Sequence, residues 1–337
     1  MAETTPFDDF RALIGNLPNP DRAALAEAGE TRKAMPGGDR LGRIGTIAQW
    51  FAGWRGNARQ PVMKPLTAIF AGNHGHVAAG RGPWSLEETK RRVDLCASGA
   101  AMVNQVCEAQ NVSLKILDLA LDHPTGDITV EAALDERQCA ATMAFGMEAI
   151  MGGVDLLALG DIGAGNGAVA GALLASVLGG EPGDWAGDAA TAEGQARRAV
   201  IEAAFATHGD MLSDPLEALR RAGGREFAAM AGAILAARME RIPVVLGGYA
   251  PLAAAAILWK VNPLATGHCV LADLSGEPGE AEAARRLGMR PLLDFGIAMG
   301  EGASAALGAG LVRTALACQT GMAAKRENRD KRGVSAH

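Results

Sequence analysis

Aromatic side chains make up only 4% of this 337-residue chain, with a single tyrosine, although 49% of its residues are apolar. Its core must therefore come from Ala, Leu, Val, Met and Gly, and the chain suffices for one large α/β domain or two smaller ones. Cysteine is sparse: Cys96, Cys107, Cys139, Cys269 and Cys318 are scattered and form no CxxC pair. An odd, dispersed set argues against a disulfide framework and structural zinc, and fits reduced thiols in the cytoplasm. Neither charge sign dominates, since 32 Lys and Arg stand against 38 Asp and Glu, for a net charge of −6. Without a basic face, nucleic acid is not expected as a partner. The N-terminus, MAETTPFDDF, lacks an apolar signal core. The longest uncharged runs, 162–180 and 242–259, are alanine-rich with glycine turns near their starts, so they read as buried strand–turn–helix units and not as membrane spans.

Glycine is abundant, with 44 residues, and one stretch concentrates it: VDLLALGDIGAGNG at 154–167, followed by an alanine-rich run. Strand, glycine turn, helix is the order in which parallel sheets build anion sites, because the next helix aims unpaired N–H groups at a phosphate. The spacing is neither GxGxxG nor the Walker pattern, so a turn packed for its own sake competes with that reading. Strand candidates recur at 66–70, 114–119, 155–159, 243–246 and 268–271. Helical patterns separate them at 86–111, 131–151, 167–178, 192–207, 215–222, 226–238 and 250–260, with one more at 280–287. This alternation predicts a parallel sheet with right-handed crossovers and ligands beyond the strands' carboxyl ends. Upstream, Asp21 or Asn19 caps a helix start, and Ile44, Ile47, Trp50, Phe51 and Trp54 form one apolar helical stripe.

Several residues could carry chemistry. Glu301, between Gly300 and Gly302, reads first as a solvated turn residue and second as a general base on a short loop. His74 and His76 follow a strand end but have no third metal ligand at a telling distance, so pocket lining is the better expectation. Thr125 and Asp127 read as caps of a helix starting near Glu131. Ser275 and Glu277 are free to meet a ligand, and Arg197 and Arg198 could reach a phosphate from a helix.

Seven motifs then occur in order: FAGNHG (70–75), PTGDIT (124–129), ERQCAATMAFGMEA (136–149), GDIGAGN (160–166), SDPLE (213–217), SGEPG (275–279) and GEGASAAL (300–307). Together they resemble the nicotinate-nucleotide–dimethylbenzimidazole phosphoribosyltransferase family over almost the whole chain. The resemblance implies a homodimer of Rossmann-like α/β subunits with a three-layer parallel sheet, in the cytoplasm and away from membranes. It implies an α/β core over 61–304, a small helical subdomain from 1–60 and 305–324, and a frayed tail over 325–337. The implied substrates are nicotinate mononucleotide and a benzimidazole-type base, with no metal or redox cofactor. Glu301 is the implied catalytic base. Gly160, Asp161, Ile162, Gly163, Gly165, Asn166, Gly167, Arg197, Arg198, Ser275, Gly300 and Gly302 would hold the phosphoribosyl group. Phe70, Asn73, His74 and Met299 would line the base pocket. Departures from the family pattern fall at ligand positions: Asn73 replaces Asp, Asp161 replaces Glu, and Gly167-Ala168 replace two threonines. Arg197 or Arg198 stands for Lys, Gly247 for Asp, and Asp273 for His. Lost hydroxyls should weaken phosphate binding, which leaves a second expectation, a paralogue that binds nucleotide or base with little turnover.

Overall fold

The computed structural model describes residues 5–331. Three helices open the chain, α1 (Pro6–Gly15), α2 (Arg22–Ala34) and α3 (Gly42–Arg55). They are followed by β1 (Pro65–Ala71), α4 (Gly75–Ala78), α5 (Leu86–Ala97), α6 (Met102–Gln110), β2 (Ser113–Asp118) and α7 (Glu136–Met147). Next come β3 (Leu156–Ile162), α8 (Asn166–Leu178), α9 (Ala192–His208), α10 (Pro215–Ala222) and α11 (Arg225–Met239). The chain continues through β4 (Val244–Leu246), α12 (Tyr249–Val261), β5 (Cys269–Leu271), α13 (Pro278–Arg286) and α14 (Ala303–Lys331).

The five strands form one parallel sheet in the order β2-β1-β3-β4-β5. Side chains of a strand point alternately to opposite faces, and a parallel sheet buries both. Ala68, Phe70, Leu157, Leu159, Val244 and Leu246 accordingly pack with α7, α8, α10, α11 and α12 on one side. Ile69, Ala71, Leu156, Ala158, Ile162 and Val245 pack with α3, α6 and α14 on the other. The uncharged runs become β3–α8 and β4–α12. Among the described residues no helix is long and apolar enough to cross a membrane.

Local chemistry sets the helix ends. Asp21 caps α2 by accepting from the Ala24 amide, and Asp214 caps α10 with Pro215 in its first turn. Two expectations need correction. The pattern at 86–111 is two helices, α5 and α6, separated by the turn around Gly99, which has φ +80°. Helix α7 starts at Glu136 and not near Glu131, because Asp135 forms a capping box with Gln138. Thr125 and Asp127 hold the preceding turn instead: Asp127 accepts from the Thr129 amide and hydroxyl and pairs with Arg81 at 3.0 Å.

At the chain ends, α14 packs against α3, α6 and α2, whereas α1 packs on α7 and α12. The Gln319 amide donates to Ala28 O, tying α14 to α2. Helix α14 is continuous to Lys331, into the stretch expected to fray from Lys325, and residues 332–337 lie outside the described residues.

Candidate active site

In a 2-1-3-4-5 sheet the crossover direction changes between β1 and β3, and a crevice opens beyond the carboxyl ends there. A cavity of about 700 Å³ occupies that place. Helices α8 and α12 begin on its wall, at Gly165–Gly167 and at Gly248–Ala250. Helix α14 begins beside it with Ser304 lining. Three helix N-termini thus converge on one space, each with unpaired N–H groups and the positive end of its dipole, which suits a phosphate.

The glycine loop is held from beneath. The Ala164 amide donates to Thr89 Oγ1 of α5 at 2.9 Å. Asn166 Nδ2 donates to Asp161, so the shorter acid finds its partner within the loop itself. Burial pushes Asp161 up to about 6, against the pull of Arg92. Gly167 leaves room that Arg197 fills: a Cβ there would lie 2.7 Å from the guanidinium carbon. A threonine could not share that space with Arg197 in its present position. Arg197 is clamped by Glu193 and Glu277, each at 2.7 Å.

Glu301 is 3% exposed, not the solvated turn residue that its neighbours suggested. It has φ +58°, between Gly300 at +69° and Gly302 at +72°. A non-glycine residue in the left-handed region is strained and must be held by its surroundings. Two contacts hold it. Gly302 packs backbone to backbone on Gly160 at the end of β3, where a Cβ on Gly160 would be 2.3 Å from Gly302 Cα. Arg92 Nε donates to Glu301 Oε1 at 2.9 Å, and Arg92 Nη2 donates to Met299 O at 3.0 Å. Glu301 Oε2 is buried and has no partner. Asp273 steadies the same loop by accepting from the Phe295 and Ile297 amides.

The expected site residues divide clearly. Asp161, Gly163, Gly165, Asn166, Gly167, Arg197, Ser275, Met299 and Gly300 line the cavity. Gly160, Gly302 and Glu301 stand directly behind Gly300. Ile162 is a core residue under α14, because strand alternation turns it away from the loop. Arg198 points outward to Glu202 at 2.8 Å, as its neighbour on the helix faces in. Three of the four base-pocket candidates do not line this cavity. Phe70 is fully buried in the core on the sheet face that packs with α8 and α11. Asn73 is buried and donates to Leu121 O. His74 is fully buried with Nε2 2.7 Å from Glu226 Oε1, stacked on His76 at 5.4 Å. Burial, reinforced by His74, pushes His76 down to about 3, which keeps it neutral. These side chains form a layer beneath the glycine loop. Among the described residues, no cluster of three or more His, Cys, Asp or Glu could hold a metal.

Sequence reasoning missed Arg92, Thr89, Glu226 and Glu280. Glu280 is buried and accepts from the Ser275 amide at 2.6 Å, and burial pushes it up to about 7. Only Arg92 stood in an i,i+4 charge pattern, with Glu88, and such patterns are mostly solvated. At Gly247 a Cβ would lie 2.7 Å from Ala305 Cβ, so α14 has closed over the position where the family pattern carries Asp.

Residues 17–329 match the family model described as Phosphoribosyltransferase. A nicotinate-nucleotide–dimethylbenzimidazole phosphoribosyltransferase of Rhizobium johnstonii is 54% identical over 325 residues, covering 94% of this chain and 95% of its own length. The one from Sinorhizobium fredii is 52% identical over 329 residues, with 96% of each chain covered. The crystal structure of the Thermus thermophilus protein of that name superposes with a TM-score of 0.81 at 30% identity, over 89% of this chain and 96% of that one. With its parallel sheet, its converging helix N-termini and its buried Glu301 loop, this chain belongs to the nicotinate-nucleotide–dimethylbenzimidazole phosphoribosyltransferase family.

Proposed function

We propose that the chain transfers 5-phosphoribosyl from nicotinate mononucleotide to 5,6-dimethylbenzimidazole or a related base, giving α-ribazole 5'-phosphate and nicotinate. One observation carries this reading: three helix N-termini converge on a single cavity, and the buried Glu301, with one unpartnered oxygen, follows Gly300 of its wall. Nicotinate leaves through a pyridinium-type nitrogen and needs no acid. As one azole nitrogen attacks the anomeric carbon, the other gives up its ring proton. Glu301 Oε2 takes that proton, while Arg92 holds Oε1 in place. The 5'-phosphate sits on the α8 N-terminus beside Arg197. Gly163, Gly165, Asn166, Gly167 and Ser275 surround the ribosyl phosphate, and Met299 borders the base.

A cytoplasmic homodimer completes the proposal. All five cysteines are free, which suits a reducing compartment. Phe295 and Met299 stand 70% and 56% exposed on the loop at the cavity mouth, an apolar edge that a second copy would cover.

Purified protein incubated with both substrates should release nicotinate and riboside phosphate in equal amounts, read by chromatography. Glu301→Gln should lower kcat by roughly 10²–10⁴-fold. A folded wild-type protein without turnover, or a Glu301→Gln variant at full rate, would overturn the assignment.

A further inference from the structure

A second cavity, of about 450 Å³, lies between α2, α3 and the turn before β5. Its wall is mainly apolar, with Leu25, Trp50, Trp54, Pro263 and Leu264, and Arg238 from the last turn of α11 joins them. Arg238 is 2% exposed and stacks over Trp54, its Cζ 4.2 Å from the ring centroid. Stacking engages one face of the guanidinium, and its buried Nε and Nη1 have no hydrogen-bond partner among the described residues. Among the described residues no acidic side chain lies close enough to oppose its charge, and Arg241 is a like-charged neighbour. His268, edge-on to Trp54 at 5.7 Å, is kept neutral by burial, which pushes it down to about 3. The Trp50 and Trp54 indoles both donate to Gly267 O, at 3.3 Å and 3.1 Å, which fixes their ring planes.

A buried guanidinium with orphan N–H donors is costly, and its planar fork matches a carboxylate. A strongly hydrated inorganic anion would leave the aromatic wall bare, whereas a flat apolar body with one carboxylate satisfies both. We propose that this cavity binds a small aromatic monocarboxylate, its carboxylate on the Arg238 guanidinium and its ring against Trp50 and Trp54. The site is separate from the first cavity and independent of the reaction assigned there.

The test is an NMR titration of the ¹⁵N-labelled full chain with sodium benzoate, following the tryptophan indole resonances. Trp50 and Trp54 should shift saturably, while Trp185, buried with its indole donating to Gly179 O and on the wall of neither cavity, serves as the internal reference. Benzamide, the same ring without the charge, should bind at least tenfold more weakly, and Arg238→Met should abolish the preference. Should that variant fail to fold, Leu264→Glu carries the test. Leu264 is 63% exposed at the rim, so the fold tolerates the change and the added charge should weaken benzoate several-fold while sparing benzamide. Any one of four results overturns the proposal. They are equal affinity for benzoate and benzamide, wild-type binding by Arg238→Met, no shift at Trp50 or Trp54, or a Leu264→Glu protein whose altered mass in solution shows that a second copy covers the cavity.

Discussion

Gly160→Ala is a one-carbon change at a residue that does not line the cavity, yet it should act on catalysis. The new Cβ would lie 2.3 Å from Gly302 Cα, 2.4 Å from Gly302 N and 3.0 Å from Glu301 C. All three are backbone atoms, so no rotamer change relieves them, and the loop must retreat by roughly 1 Å to reach ordinary contact distance. Overpacking of this kind costs about 1–3 kcal/mol of stability, which a large α/β core tolerates. A displacement near 1 Å of a positioned catalytic group costs roughly 10²-fold in rate. Steady-state nicotinate release should therefore show kcat lowered on that order, with far-UV circular dichroism unchanged. Gly15→Ala, where a Cβ meets nothing within 4 Å, is the control. A Gly160→Ala enzyme with wild-type kcat and an intact fold would refute the coupling of this contact to Glu301.

Arg92→Met should remove two charge-assisted hydrogen bonds from the Glu301 loop, each worth about 1.5–3 kcal/mol, and lower kcat tenfold or more with a smaller change in the KM for nicotinate mononucleotide. A raised KM with kcat unchanged would assign Arg92 to binding instead. Glu280 is held up near 7 by burial, so it favours folding while protonated. Its contribution is fully present below about pH 4.5, is lost as pH rises through 7, and is on the order of 3 kcal/mol. Glu280→Gln should therefore lose less Tm than wild type between pH 5 and pH 8, and parallel Tm-against-pH curves would contradict the protonated state.

The sheet was legible in the chain because its strands are short runs rich in apolar residues, with β1, β3 and β4 ending at glycines, and all five lie where those runs fall. Helix α14 was not, since residues such as Ala303, Ala305, Ala306 and Ala309 are buried on a segment with no amphipathic period. The glycine loop and Glu301 were legible as motifs, but the residues that hold them were not. Arg92 lies more than two hundred positions from Glu301 in sequence and looks like one more charge on a solvated helix. The base-pocket candidates Phe70 and His74 are buried for different reasons, Phe70 by strand alternation and His74, past the end of β1, by its packing on Glu226 and His76. Residues at a strand's end are near the site in sequence, but alternation decides which of them face it. The departures at Asp161, Gly167 and Gly247 likewise made sense only in space, where Asn166, Arg197 and Ala305 occupy the adjoining volume.

The most direct test of Glu301 as the base is the structure of Glu301→Gln soaked with nicotinate mononucleotide and 5,6-dimethylbenzimidazole. The phosphate should sit on the α8 N-terminus next to Arg197, with an azole nitrogen roughly 2.6–3.2 Å from the residue-301 side chain. A base bound out of reach of residue 301, or a phosphate seated away from the 163–167 loop, would contradict it.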